Sequence, residues 1–261
     1  MSHIVKSEDT YYMLSDVIYD VEKHGISTSL IMYLMDELMP KQYMIDYHVV
    51  ASKYGEGETS FNLSKKKVEI YSGKTKGWVN CCTNILIDEF NIKDKKVLQG
   101  YHLIQVLAHE IEHAYQYLFG LEIFEPPYSA IGMAYCDIYN MLDIGYDKSK
   151  VDYYFKHFRW LLLERNAQIE STDLILNLAY FNNIQDIYDA YSDLVADWII
   201  LGYRENTEGN ILETYRELGL NASKLDINIK ASEDEKVRYG FPILDETREE
   251  VLRRVRRDTN V

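Results

Sequence analysis

Residues 97–120 form one long apolar run interrupted by His109-Glu110-Ile111-Glu112-His113. The flanks Leu103, Ile104, Val106, Leu107, Ala108, Ile111, Ala114, Tyr115 and Leu118 are apolar nearly all round a helix. A helix of that kind is buried, so the rest of the chain must be built around it. Gly120 supplies a plausible stop. Two histidines and two glutamates in such a helix are costly unless an ion or polar partners satisfy them. Residues four apart turn by ~400° and rise by ~6 Å, so His109 and His113 share one face, one turn apart. That spacing lets two imidazole nitrogens reach one zinc ion at ~2.0–2.1 Å. Glu110 directly follows the first histidine and is placed to hold a water and take its proton. Glu112 is rotated ~300° from His109, and a surface salt bridge is the expected role.

The elements around this helix read as follows. Residues 8–23 and 30–39 carry apolar residues at helical spacing, closed by Gly25 and Pro40. From residue 43 the period changes. Residues 43–50, 60–63, 67–71 and 78–88 are β-like, with turns between them, and predict a small antiparallel or mixed sheet. After the long apolar run, helices are expected over 128–142, 150–178, 184–203, 206–218 and 246–257, with a polar, weakly patterned stretch over 225–239. Strands segregated from helices predict an α+β fold. The expected division is a helical segment over 1–40, a core over 41–182 and a helical extension over 183–261.

Composition narrows the functional classes. The net charge of -14 opposes phosphate backbones and anionic lipid, so neither nucleic acid nor membrane is expected as a partner. The basic cluster Arg248, Arg253, Arg254, Arg256 and Arg257 alternates with Glu246, Glu249 and Glu250 and predicts a solvated helix face. Residues 1–10 lack the apolar core of a signal peptide, and no run reaches a membrane span, so the expected address is cytoplasmic. Three cysteines, Cys81, Cys82 and Cys136, argue against a disulfide framework. They are read as buried thiols, with a Cys-Cys-His metal site as the alternative. The 23 tyrosines either line half-wet helix contacts or reflect a compositional habit.

Two histidines make half of a zinc site, since a catalytic zinc takes about three protein ligands and a water. Only His157 follows His113, so a carboxylate is the expected third ligand. Glu164 lies among Trp160, Leu161, Leu162 and Leu163, where a carboxylate needs a cation. Glu170 precedes Ser171, Thr172 and Asp173, a more polar and wetter setting. Six residues apart, the two differ by ~120° and cannot face one ion. Ala167 is small enough to let another helix approach. His102 and His157 are read as packed helix histidines, and His3 and His24 as surface residues.

His109-Glu110-x-x-His113 followed by Glu164-x-x-Ala167 resembles the gluzincin metallopeptidases, especially the short cytoplasmic ImmA/IrrE-like and phage- or mobile-element-encoded forms. The resemblance spans residues 60–180. It implies a zincin-like sheet packed on the metal helix, a Zn2+ cofactor held by His109, His113 and Glu164, and Glu110 as the base. A metal-activated water would then hydrolyse a protein or peptide substrate. It also implies that residues 80–88, just before the metal helix, form the sheet edge that pairs with substrate. The family uses a His or Tyr to stabilise the oxyanion, for which His157, Tyr153 and Tyr154 are candidates. Several members follow the Ala with an Asp that supports a zinc-binding histidine; this chain has Gln168 there. The alternative function is a non-catalytic zinc-stabilised module, such as a regulatory or phage accessory factor. Glu110 discriminates, because a structural zinc site needs no base beside its first histidine.

Overall fold

The computed structural model describes residues 7–41, 45–53, 60–62, 67–119, 162–204 and 247–258. Among these lie helices α1 (Glu8–His24), α2 (Thr28–Leu38), α3 (Ser72–Phe90), α4 (Lys95–Phe119), α5 (Leu162–Phe181), α6 (Gln185–Arg204) and α7 (Arg248–Asp258). Three strands accompany them: β1 (Asp46–Val50), β2 (Ser60–Asn62) and β3 (Lys67–Tyr71). The fold is α+β and mostly helical. The helices expected over 128–142 and 206–218, the start of the one expected over 150–178, and the polar 225–239 stretch lie outside the described residues.

Local chemistry explains most boundaries. Ser7 caps α1 by accepting from Thr10 N, and Ser27 caps α2 by accepting from Leu30 N. Gly25 ends α1 with φ of 73°, a conformation that glycine adopts without Cβ strain. Leu14, Val17, Ile18 and Val21 form the buried stripe of α1. This stripe packs against α4, and Gly100 makes the crossing close. A Cβ there would stand 2.9 Å from Ile18 Cα.

The sheet is mixed, in the order β1-β3-β2. β1 runs parallel to β3, with Asp46 opposite Lys67 and Val50 opposite Tyr71. β2 pairs antiparallel on the other side, with Phe61 opposite Val68. Val68 and Ile70 of the central strand are fully buried. β1 packs on α2, β2 on α4 and β3 on α3.

The β-like run 78–88 is helix. It belongs to α3, which leaves β3 directly and ends at Asn91 in the left-handed conformation. Val79, Cys81, Thr83 and Ile85 are buried in strict alternation, as in a strand. Here the alternation arises because α3 is enclosed on several sides by α4, β3 and α6. A helix enclosed in that way has no single apolar stripe, so its sequence loses the helical period.

α4 is the hub. It packs against α1, α2, α3, α5 and β2. Leu98, Tyr101, Leu103, Ile104, Leu107, Ala108, Ile111 and Ala114 are fully buried along it. One apolar cluster joins residues of α1, α2, the sheet, α4, α5, α6 and α7. α7 seats Val251 and Val255 against α6. Its Arg248 reaches Asp193 and Asp197, and Arg256 reaches Asp189, so the basic face is half-exposed and paired with an acidic stripe of α6. Among the described residues no helix is long and apolar enough to cross a membrane.

Candidate metal centre

The helix carrying His109 and His113 is continuous through both residues. Helical spacing alone therefore brings the rings together. Their centroids are 4.5 Å apart, with the planes nearly perpendicular. The two Nε2 atoms face each other at 2.9 Å. Two nitrogens bound to one tetrahedral zinc at ~2.0–2.1 Å stand ~3.4 Å apart. The imidazole pair thus fits a shared cation after a ring adjustment of a few tenths of an ångström, on the order of ordinary thermal displacement. His109 is buried and His113 half-buried.

Glu110 is half-buried on the next strip of the helix. Glu112 is 1% exposed. The expected surface salt bridge is therefore corrected: α4 is enclosed by its neighbours, and the strip that carries Glu112 faces the interior. Gln116, one turn beyond His113, is also buried, and its Oε1 accepts from His113 Nδ1 at 2.9 Å. The sequence reading passed over Gln116. Its i+3 spacing from His113 was a usable signal, since residues three apart meet on a helix surface.

Glu164 sits in the first turn of α5; its side chain lies outside the described residues. Its backbone position can still be related to α4. Gln105 Nε2 donates to Thr172 Oγ1 at 2.9 Å and to Gln168 Oε1 at 3.3 Å. Tyr101, one turn earlier on α4, accepts from Asn182 just past the end of α5. Contacts that advance along α4 therefore retreat along α5, and the two helices run antiparallel. His109 lies one turn after Gln105, and Glu164 one turn before Gln168. In an antiparallel pair both steps lead the same way, by ~6 Å each.

Ala167 is fully buried, as a close helix approach requires. Glu170 is half-buried, but Ser171 and Thr172 beside it are fully buried, so the wetter setting expected there is not found. Thr172 is held by Gln105, and Ser171 donates to Gln168 O, which is how two hydroxyls enter the core. Among the described residues no three His, Cys, Asp or Glu side chains gather at one point.

The other sequence candidates fall apart from this centre. His102 is buried at the α3–α4–α6 junction, with Thr83 Oγ1 3.0 Å from Nδ1 and the Tyr191 ring beside it. Burial lowers its pKa to about 3, so it is a neutral packed histidine. His24 is exposed at the end of α1. Cys81 and Cys82 are free thiols on α3. Cys136, His3, His157, Tyr153 and Tyr154 lie outside the described residues. The 80–88 edge strand does not exist, because those residues are helical. Among the described residues the edges of the sheet are β1 and β2, and β2 is the one beside α4.

The chain matches no protein-family model, no curated protein and no solved structure.

Proposed function

We propose that this protein is a zinc-dependent peptidase of the gluzincin type, with a zincin-like core formed by the sheet, α4 and α5. The observation that carries the proposal is the 2.9 Å approach of the His109 and His113 Nε2 atoms beside Glu110 on a buried helix. Imidazole nitrogens suit zinc, and the pair sits where one cation satisfies both. His109 and His113 hold the ion. Glu164 is the third ligand, supported by the antiparallel register of α5 on α4.

When bound, zinc polarises a carbonyl and makes water acidic enough to attack at neutral pH. Glu110 accepts the proton of that water at a carboxylate oxygen and passes it to the departing amine. An extended peptide is taken by backbone pairing to β2, the edge strand that packs against α4.

Protein purified without chelator is expected to carry about one zinc per chain by elemental analysis, as a single three-ligand site requires. Glu110→Gln should keep that zinc and lose peptide hydrolysis. Absence of zinc, with no uptake on titration, overturns the reading. Loss of zinc in Glu110→Gln makes Glu110 structural. A wild type that holds zinc and cleaves nothing in a broad peptide library is a zinc-stabilised module instead.

A further inference from the structure

The two histidines of the centre are not equivalent. Gln116 Oε1 is an acceptor only, and it lies 2.9 Å from His113 Nδ1. A neutral His113 must then carry its proton on Nδ1 and leave a lone pair on Nε2. That bare Nε2 is the atom that faces His109, 2.9 Å away. Two bare nitrogens at that distance would repel, so His109 carries its proton on Nε2 and donates it to His113. Gln116 is 2% exposed, so the amide that accepts the Nδ1 proton is itself held away from bulk water.

We infer that Gln116 is a positioning residue that makes His113 the pre-set ligand, and that His109 is the ligand that must change tautomer when a divalent cation binds. This rests on the zinc-centre reading given above. An imidazole binds a metal through a lone pair, and the partner of its other nitrogen decides which nitrogen offers one. His113 already offers Nε2. On cation entry the hydrogen bond between the rings breaks. His109 would then give its Nε2 proton to water and take one from water at Nδ1, a buried atom, so the ring stays neutral. In the family that the sequence resembles, an Asp after the Ala supports a ligand histidine from the second helix. Here Gln168 holds Gln105 instead. Gln116, on α4 itself, supports His113.

The test begins with metal-free full-length protein labelled with 15N in its histidines. Ring nitrogen shifts should show His113 protonated at Nδ1 and His109 at Nε2. Titration with Zn2+ should move the His109 proton to Nδ1 and leave the His113 tautomer unchanged. Gln116→Leu should lose the fixed His113 tautomer and weaken Zn2+ and Co2+ binding by ~10–100-fold in a chelator competition. Gln116→Glu, whose carboxylate also accepts from Nδ1–H, should restore binding to wild-type strength or better. Equal affinity in all three proteins, or a metal-free His113 protonated at Nε2, overturns the inference while leaving the zinc reading intact. The expected tautomers in a protein that takes up no Zn2+ support the Gln116 lock and overturn the zinc reading instead. If Gln116→Leu does not fold, the wild-type tautomers and the Gln116→Glu affinity still decide.

Discussion

α4 carries histidines at two places, and the contacts their rings make differ. His102, in its first half, has a hydroxyl at Nδ1 from Thr83 on α3 and an aromatic wall in Tyr191 on α6. Its partners are neutral and come from other helices. His109 and His113, seven and eleven residues further on, meet each other and Gln116, all on the same helix. The first place is a closed polar contact inside the core. The second is a pair of nitrogens poised around a point that a cation can occupy. Seven residues return a helix to nearly the same face, so face alone does not separate a packed histidine from one proposed as a ligand. What distinguishes them is the contact each ring makes: a hydroxyl and an aromatic ring at His102, a second imidazole and an amide oxygen at His113.

The comparison breaks first on metal content. His113→Ala and Glu164→Ala should lower zinc affinity by orders of magnitude, whereas His102→Leu and Glu170→Ala should leave it near wild type. A chelator-competition series reads this directly. Metal loss in His102→Leu, with the fold retained, would join the two places into one site. The reverse ranking of Glu164 and Glu170 would overturn the placement of α5 across the centre.

A smaller effect concerns acid. His102 has its folded pKa lowered from 6.5 to about 3 by burial, so the unfolded chain takes the proton first. Its contribution is complete above about 6.5 and is lost progressively as pH falls towards about 3. At pH 5 this one residue should cost about 2 kcal/mol relative to pH 7.5, from ~1.4 kcal/mol per pH unit below the unfolded value. Denaturant midpoints at the two pH values measure it. His102→Leu should flatten the curve between them, and an unchanged slope would show that the ring is not held neutral.

The smallest effect sharpens the structural half of the comparison. Thr83→Val keeps shape but removes the hydroxyl at His102 Nδ1. It should destabilise the protein by ~1–2 kcal/mol, the usual cost of a buried polar atom left without its partner. Zinc affinity should not move. A stability loss below the detection of urea denaturation would mean that the ring finds another acceptor or donor.

Much of the fold is legible residue by residue. α1 and α2 declare themselves through apolar spacing and their stops at Gly25 and Pro40. β3 alternates cleanly because one of its faces is the core. α3 does not, because its neighbours bury residues on several sides and leave only Asn84, Asp88 and Glu89 exposed. Its Val, Ile, Thr and Cys content then imitates a strand. Glu112 was misread for the same reason: an isolated helix does not reveal how many of its faces are covered.

The sequence by itself determined the central helix and the meeting of His109 with His113. Both follow from helical periodicity, which acts over four residues and needs nothing from the rest of the chain. The same periodicity sets Gln116 three residues beyond His113, within reach of its Nδ1. Tertiary structure alone decided that His102 is closed off by Thr83 and Tyr191, and that β2 rather than residues 80–88 edges the sheet beside α4. It also decided that α5 runs antiparallel to α4, with Gln105 binding Gln168 and Thr172. The His102 and α5 contacts join residues at least nineteen apart in the chain, as Thr83 and His102 are. Such contacts are set by which buried faces fit together, and that packing is not written in the spacing of any one segment.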